Sequence, residues 1–194
     1  MKMLAPVLIA LAFLLISPAN AADYVKGFNA YLRGDYALAQ RELRPLGERG
    51  NVLAQYRLGV MYNNGDGVKQ DFRQAVTWFY RAATLGYAPA QKSLGIKYEK
   101  GQGVERDYGE AVSWYRYGAD QGYAIAQYRL GRMYVLGRGI QRDFTKAVVW
   151  FNLAAAQEVE DAATARDAVA TQLTPQQLVE ANSKTRKALQ KAEN

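Results

Sequence analysis

The sequence has no cysteine and no histidine. Without cysteine there is no disulfide, no thiolate nucleophile and no thiolate-ligated zinc. Without histidine there is no imidazole base, which excludes Ser-His-Asp and Cys-His catalysis. Carboxylate chemistry, lysine chemistry and all-oxygen metal sites survive this filter. What is present is ample apolar material, 49% of 194 residues, enough for a packed core. The formal charge of +7 leaves acidic proteins, anionic lipid and nucleic acid as electrostatically suitable partners.

Long hydrophobic runs are also scarce, and the one that exists lies at the start. Lys2 precedes an almost unbroken apolar stretch from Leu4 to Ile16. Ser17-Pro18 interrupts it, and Ala19-Asn20-Ala21 places small residues where a signal peptidase reads. This is the pattern of a secretory signal peptide over 1–21, with cleavage expected between Ala21 and Ala22. The stretch is short of the ~20 residues a membrane span needs, so no transmembrane segment is expected in the mature chain. Export makes the periplasm the expected destination in a Gram-negative cell, and secretion otherwise. It also argues against a nucleic-acid partner.

The rest of the chain repeats. Trp78, Trp114 and Trp150 are spaced by 36 residues. Ala54-Gln55, Leu58-Gly59, Tyr62, Gly65 and Gly67, Asp71, Ala75-Val76 and Ala83 each return at the same period. Twelve columns are identical in all three copies, without gaps, over 54–161. Such periodicity marks a repeat architecture. Within a copy, Ala54, Leu58, Met61 and Tyr62 fall at helical spacing over 52–64, and glycine stops that helix. Asp71 is placed to cap a second helix whose apolar stripe is Phe72, Ala75, Val76, Phe79 and Ala83. Two amphipathic helices with a short connection form an antiparallel hairpin. Stacked hairpins bury one another's open faces, which predicts an all-α chain, an α-solenoid of antiparallel helical hairpins.

The pattern A-Q-x-x-L-G-x-x-Y-x-x-G-x-G-V-x-x-D-[FY]-x-x-A-V-x-W-[FY] resembles the Sel1-like repeat, a relative of the tetratricopeptide repeat. Ala54–Phe79, Ala90–Tyr115 and Ala126–Phe151 carry it, with Ile140 in place of valine. The expected organisation is a degenerate half-repeat over 22–53, repeats over 54–89, 90–125 and 126–161, and capping helices over 162–194. In the half-repeat, Asp35-Tyr36 begins the second helix after a shortened loop. In the fourth unit Glu158 replaces the glycine, and Thr174-Pro175-Gln176-Gln177 starts a last helix whose Leu178, Val179, Ala181 and Leu189 are expected to pack on the array. The resemblance implies a right-handed superhelix that holds other proteins together, without catalytic residues.

The motifs that invite a chemical reading do not sustain one. The G-x-G loops lack the GK[ST] of a phosphate loop and the preceding strand of a dinucleotide loop. Asn63-Asn64-Gly65-Asp66-Gly67 lacks a bidentate glutamate at calcium-loop spacing. Asp71, Asp107 and Asp143 lie a repeat apart, unlike a glycosidase pair. The expectation is therefore no enzyme, no metal and no cofactor.

The better candidates are columns that differ between copies along the first helices: Tyr56, Val60, Asn63 and Asn64, then Lys92, Ile96, Glu99 and Lys100, then Tyr128, Arg132, Val135 and Leu136. Their spacings put each set on one face, offset from the packing stripe. The resemblance makes this the face that lines a concave groove. Its mixture of aromatic, apolar and basic groups suits an acidic or amphipathic protein or peptide. The expected role is an interaction scaffold or regulator of the cell envelope. The alternative is a cell-wall accessory or an envelope enzyme whose site the sequence does not display.

Overall fold

A computed structural model describes residues 18–193. The hydrophobic run over 4–16 lies outside the described residues, so the signal-peptide expectation falls mostly there. Among the described residues ten helices succeed one another: α1 (Pro18–Leu32), α2 (Tyr36–Glu48), α3 (Val52–Asn64), α4 (Phe72–Thr84), α5 (Ala88–Lys100), α6 (Tyr108–Asp120), α7 (Ala124–Leu136), α8 (Phe144–Ala155), α9 (Ala162–Ala170) and α10 (Pro175–Glu193). Each helix from α1 to α8 packs on the next, and α10 returns to α8. The first helices also touch, α1 with α3 and α5 with α7, so they form a row. Among the described residues no helix is long and apolar enough to cross a membrane.

Columns that recur in all three copies have physical tasks. Asp71 and Asp107 accept two backbone N–H bonds apiece at the starts of α4 and α6, and Asp143 accepts from Lys146 at the start of α8. Leu58, Leu94 and Leu130 are fully buried, worth roughly 1.5–3 kcal/mol each. The glycine that follows each leucine faces an aromatic ring. A Cβ on Gly59, Gly95 or Gly131 would stand 2.5, 2.5 and 2.8 Å from the rings of Phe79, Tyr115 and Phe151. The glutamines tie one hairpin to the one before it. Gln55, Gln91 and Gln127 donate to the backbone carbonyls of Gly47, Ala83 and Ala119 at 3.0, 3.1 and 3.3 Å.

The G-x-G loops are structural. Their second glycines have positive φ and press on the second helix of the preceding hairpin. A Cβ on Gly103 (φ +80°) would lie 2.3 Å from the Phe72 carbonyl oxygen. Glycine at this position is thus required by the close approach of the neighbouring hairpin.

The tryptophans pack between hairpins. Trp78 is 4% exposed and belongs to the core shared with α1–α3. Trp114 lies half-buried between Tyr80 and Tyr117, ring centroids 5.9 and 5.6 Å away, against the core of repeat 1.

At the C-terminal end, Thr174 and Gln177 form the expected reciprocal box, with bonds of 2.9 and 3.3 Å. Glu158 keeps the left-handed conformation (φ 58°) that glycine supplies in the other copies. The expectation for α10 needs correction. Ala181 is buried and Leu178 half-buried, but Val179 is 70% exposed and Leu189 37%. The expected Ala181 is thus packed as read, Leu189 lines a hollow with Trp150 and Leu153, and Thr185 adds a polar contact to α8, its hydroxyl accepting from Asn152 at 3.2 Å.

Candidate functional site

The row of first helices opens between α3 and α5 into a cavity of roughly 590 Å³. Seven of the twelve expected residues line it: Tyr56, Val60, Asn63 and Asn64 from α3, and Lys92, Ile96 and Lys100 from α5. Gln70, Phe72, Phe79, Ser93, Lys97 and Gln102 complete the wall. A more open hollow of roughly 750 Å³ lies across Gln70 and Phe72, but its one acid, Asp71, is engaged in capping α4.

The remaining expected residues lie elsewhere. Glu99 accepts the Tyr115 hydroxyl at 2.5 Å and pairs with Arg129 at 3.7 Å. Tyr128 and Val135 are half-buried against the core of repeats 2 and 3, while Arg132 and Leu136 are exposed.

These columns are not free of packing duty. Tyr56 sits 5.8 Å from Phe79 and edge-on to Tyr87 at 5.1 Å, and Tyr128 sits 5.6 Å from Phe151. Val60 and Ile96 also rest on core clusters. The reason is geometric. A first helix touches its own partner and the adjacent hairpins, so its packed face is wider than a single stripe.

Lys97 is the residue sequence reasoning missed. It is 5% exposed, yet no carboxylate neighbours it in the cavity wall. Its Nζ donates to Gln102 Oε1 at 3.0 Å and stands 4.4 Å from the centroid of the Phe72 ring. Burial first, and the charge of Lys100 second, bring the amine down to about 8. Burial and Arg129 lower Lys92 as well. The signal was available in the repeat alignment, because the equivalent positions of the flanking copies hold Met61 and Met133. Both are 1% exposed, so the column belongs to the core.

Tyr115 shows the contrasting environment. Burial, then its bond to the Glu99 carboxylate, pushes its hydroxyl far above the ordinary tyrosine range. It is a fixed donor rather than an acid. Among the described residues no group of three acidic side chains is placed to hold a metal ion.

The family model of the Sel1 repeat matches residues 52–87, 88–123 and 124–159, more than half of the chain. The chain belongs to the Sel1-repeat family. The matched units have the 36-residue period read from the sequence, and each begins at the start of a first helix. Among solved structures, this Sel1-repeat protein is similar to c5321, a protective antigen present in uropathogenic Escherichia coli strains. The two are 38% identical with a TM-score of 0.70, over 72% of this chain and 31% of that one. It is also similar to a Sel1 repeat protein of Oxalobacter formigenes, 34% identical with a TM-score of 0.67, over 71% of this chain and 56% of that one. The chain thus spans about a third and about half of the lengths of these two proteins. Helicobacter pylori cysteine rich protein B shares the fold at 23% identity and a TM-score of 0.51, over 64% of this chain and 95% of that one. No curated protein matches the sequence. The Sel1-repeat fold is commonly a protein-interaction scaffold, generally without catalytic function.

Proposed function

We propose that this Sel1-repeat protein is an exported, non-catalytic scaffold or regulator of the cell envelope that holds a protein or peptide in the groove along its first helices. The observation that carries the reading is the cavity between α3 and α5, where residues that differ from copy to copy converge on one space. Repeated columns build the array, and the varying ones, besides their share of packing, present side chains to the cavity where a partner can be read. The groove wall combines aromatic, apolar and cationic side chains with amides, a chemistry suited to an acidic or amphipathic segment. Export is supported by the 1–21 sequence pattern.

Crosslinking in the native envelope tests the groove. Lys100 and Leu136 are exposed at the ends of α5 and α7, so Lys100→Glu with Leu136→Glu should leave the fold intact. The double variant is expected to lose the principal crosslinked partner. A partner profile identical to that of the wild type would overturn the groove assignment.

A further inference from the structure

A buried amine is costly to leave without an anion, and cores replace it with apolar residues when nothing else is asked of the position. The array makes that replacement twice, with Met61 and Met133. In the middle copy the same buried column carries Lys97, whose amine meets a neutral amide and an aromatic face. Lys92 and Lys100 line the same cavity, and no aspartate or glutamate is among its lining residues.

The neighbouring junction shows what a self-contained arrangement looks like. There Glu99 occupies the column held by Asn63 in the cavity, and it satisfies Tyr115 and Arg129. The first junction has the cations, and no carboxylate is among the residues that line its cavity.

We infer that the α3–α5 cavity receives an aspartate or glutamate side chain from an acidic partner segment, with Lys97 as its buried counter-charge and Lys92 and Lys100 flanking it. The inference rests on the groove reading and narrows it to one subsite and one chemistry. A peptide suits the space better than a small free anion. The cavity, at roughly 590 Å³, is far larger than a phosphate or acetate ion. Tyr56, Val60 and Ile96 also give it apolar wall for a neighbouring residue of the same segment.

The test uses two fluorescent hexapeptides, alternating glutamate with leucine and glutamine with leucine, titrated by anisotropy into the purified protein. The glutamate peptide is expected to bind at least tenfold more tightly. Lys97→Met, the residue used by the other copies, should abolish that preference without lowering the melting temperature. Arg132→Met, on α7, should keep it. Equal binding of the two peptides, no binding of the glutamate peptide at millimolar concentration, or an undiminished preference in Lys97→Met would overturn the inference. Inorganic phosphate that binds as tightly as the glutamate peptide would overturn the assignment to a peptide. The groove reading stands or falls separately: loss of the envelope crosslink in Lys100→Glu with Leu136→Glu would sustain it even if the peptide preference is absent.

Discussion

The junction of repeats 1 and 2 and the junction of repeats 2 and 3 are assembled from the same columns, yet their electrostatics differ. In the second, Glu99 lies between the Tyr115 hydroxyl and Arg129, so acid, donor and cation are all internal. In the first, the corresponding positions are Asn63, Phe79 and Ser93, and the charges that remain are Lys92, Lys97 and Lys100. Helix length and the left-handed glycine stop are shared, with α3, α5 and α7 each 13 residues long and ending at Gly65, Gly101 and Gly137. The difference therefore resides in side chains at a few columns. A repeat array can close one junction and leave the next open without altering its backbone plan, because each hairpin needs only its own neighbours to be stable.

The strongest way to break this comparison is through the shared core. Trp114 supports the open junction, where it packs between Tyr80 and Tyr117 against the core of repeat 1, and Trp150 is its counterpart in the closed one. Trp114→Ala is expected to cost about 3–5 kcal/mol, read as a lowered urea midpoint, because it removes a large ring from between two hairpins. An unchanged midpoint would refute the inter-repeat packing role.

Glu99→Ala sharpens the contrast with a smaller effect. It leaves the buried Tyr115 hydroxyl without its acceptor and Arg129 without its carboxylate, for a loss of about 2 kcal/mol. Asn63→Ala, at the equivalent place in the open junction, should change stability by less than about 0.5 kcal/mol, because no partner in the adjacent repeat depends on it. Equal losses in the two variants by chemical denaturation would mean that the junctions are energetically alike.

The sequence displays the array more fully than the site. The period, the α3 bounds, the Asp71 cap and the Thr174–Gln177 box are legible because helix punctuation is local: a cap or a stop acts within a turn of where it is written. Tyr56 and Tyr128 are harder to place, since how far the packed face extends around a helix depends on neighbours distant in sequence. Lys97 reads as a surface residue by type, and only the methionines of its column reveal a core position. Glu158 marks a further limit. The chain holds it at φ 58° although only glycine adopts that region freely, so stacking of the fourth unit overrides the residue's own preference.

The subtlest test of the comparison is a change of opposite sign. Lys97→Met converts the open junction's buried cation into the apolar residue of the flanking copies, and it should raise stability by about 1 kcal/mol at pH 7. Relief of the buried charge outweighs the lost contacts to Gln102 and Phe72. The pH dependence identifies the cause. With the folded amine near 8 and an ordinary lysine value of 10.5 in the unfolded chain, the unfolded state binds more protons between those limits, so this group makes the wild type more stable as pH rises through that window. Tyrosine ionisation acts on both proteins and cancels in their difference. The advantage of Lys97→Met should therefore be full below pH 8 and shrink steadily toward 10.5. An advantage independent of pH would place the effect in packing rather than in the unpaired charge.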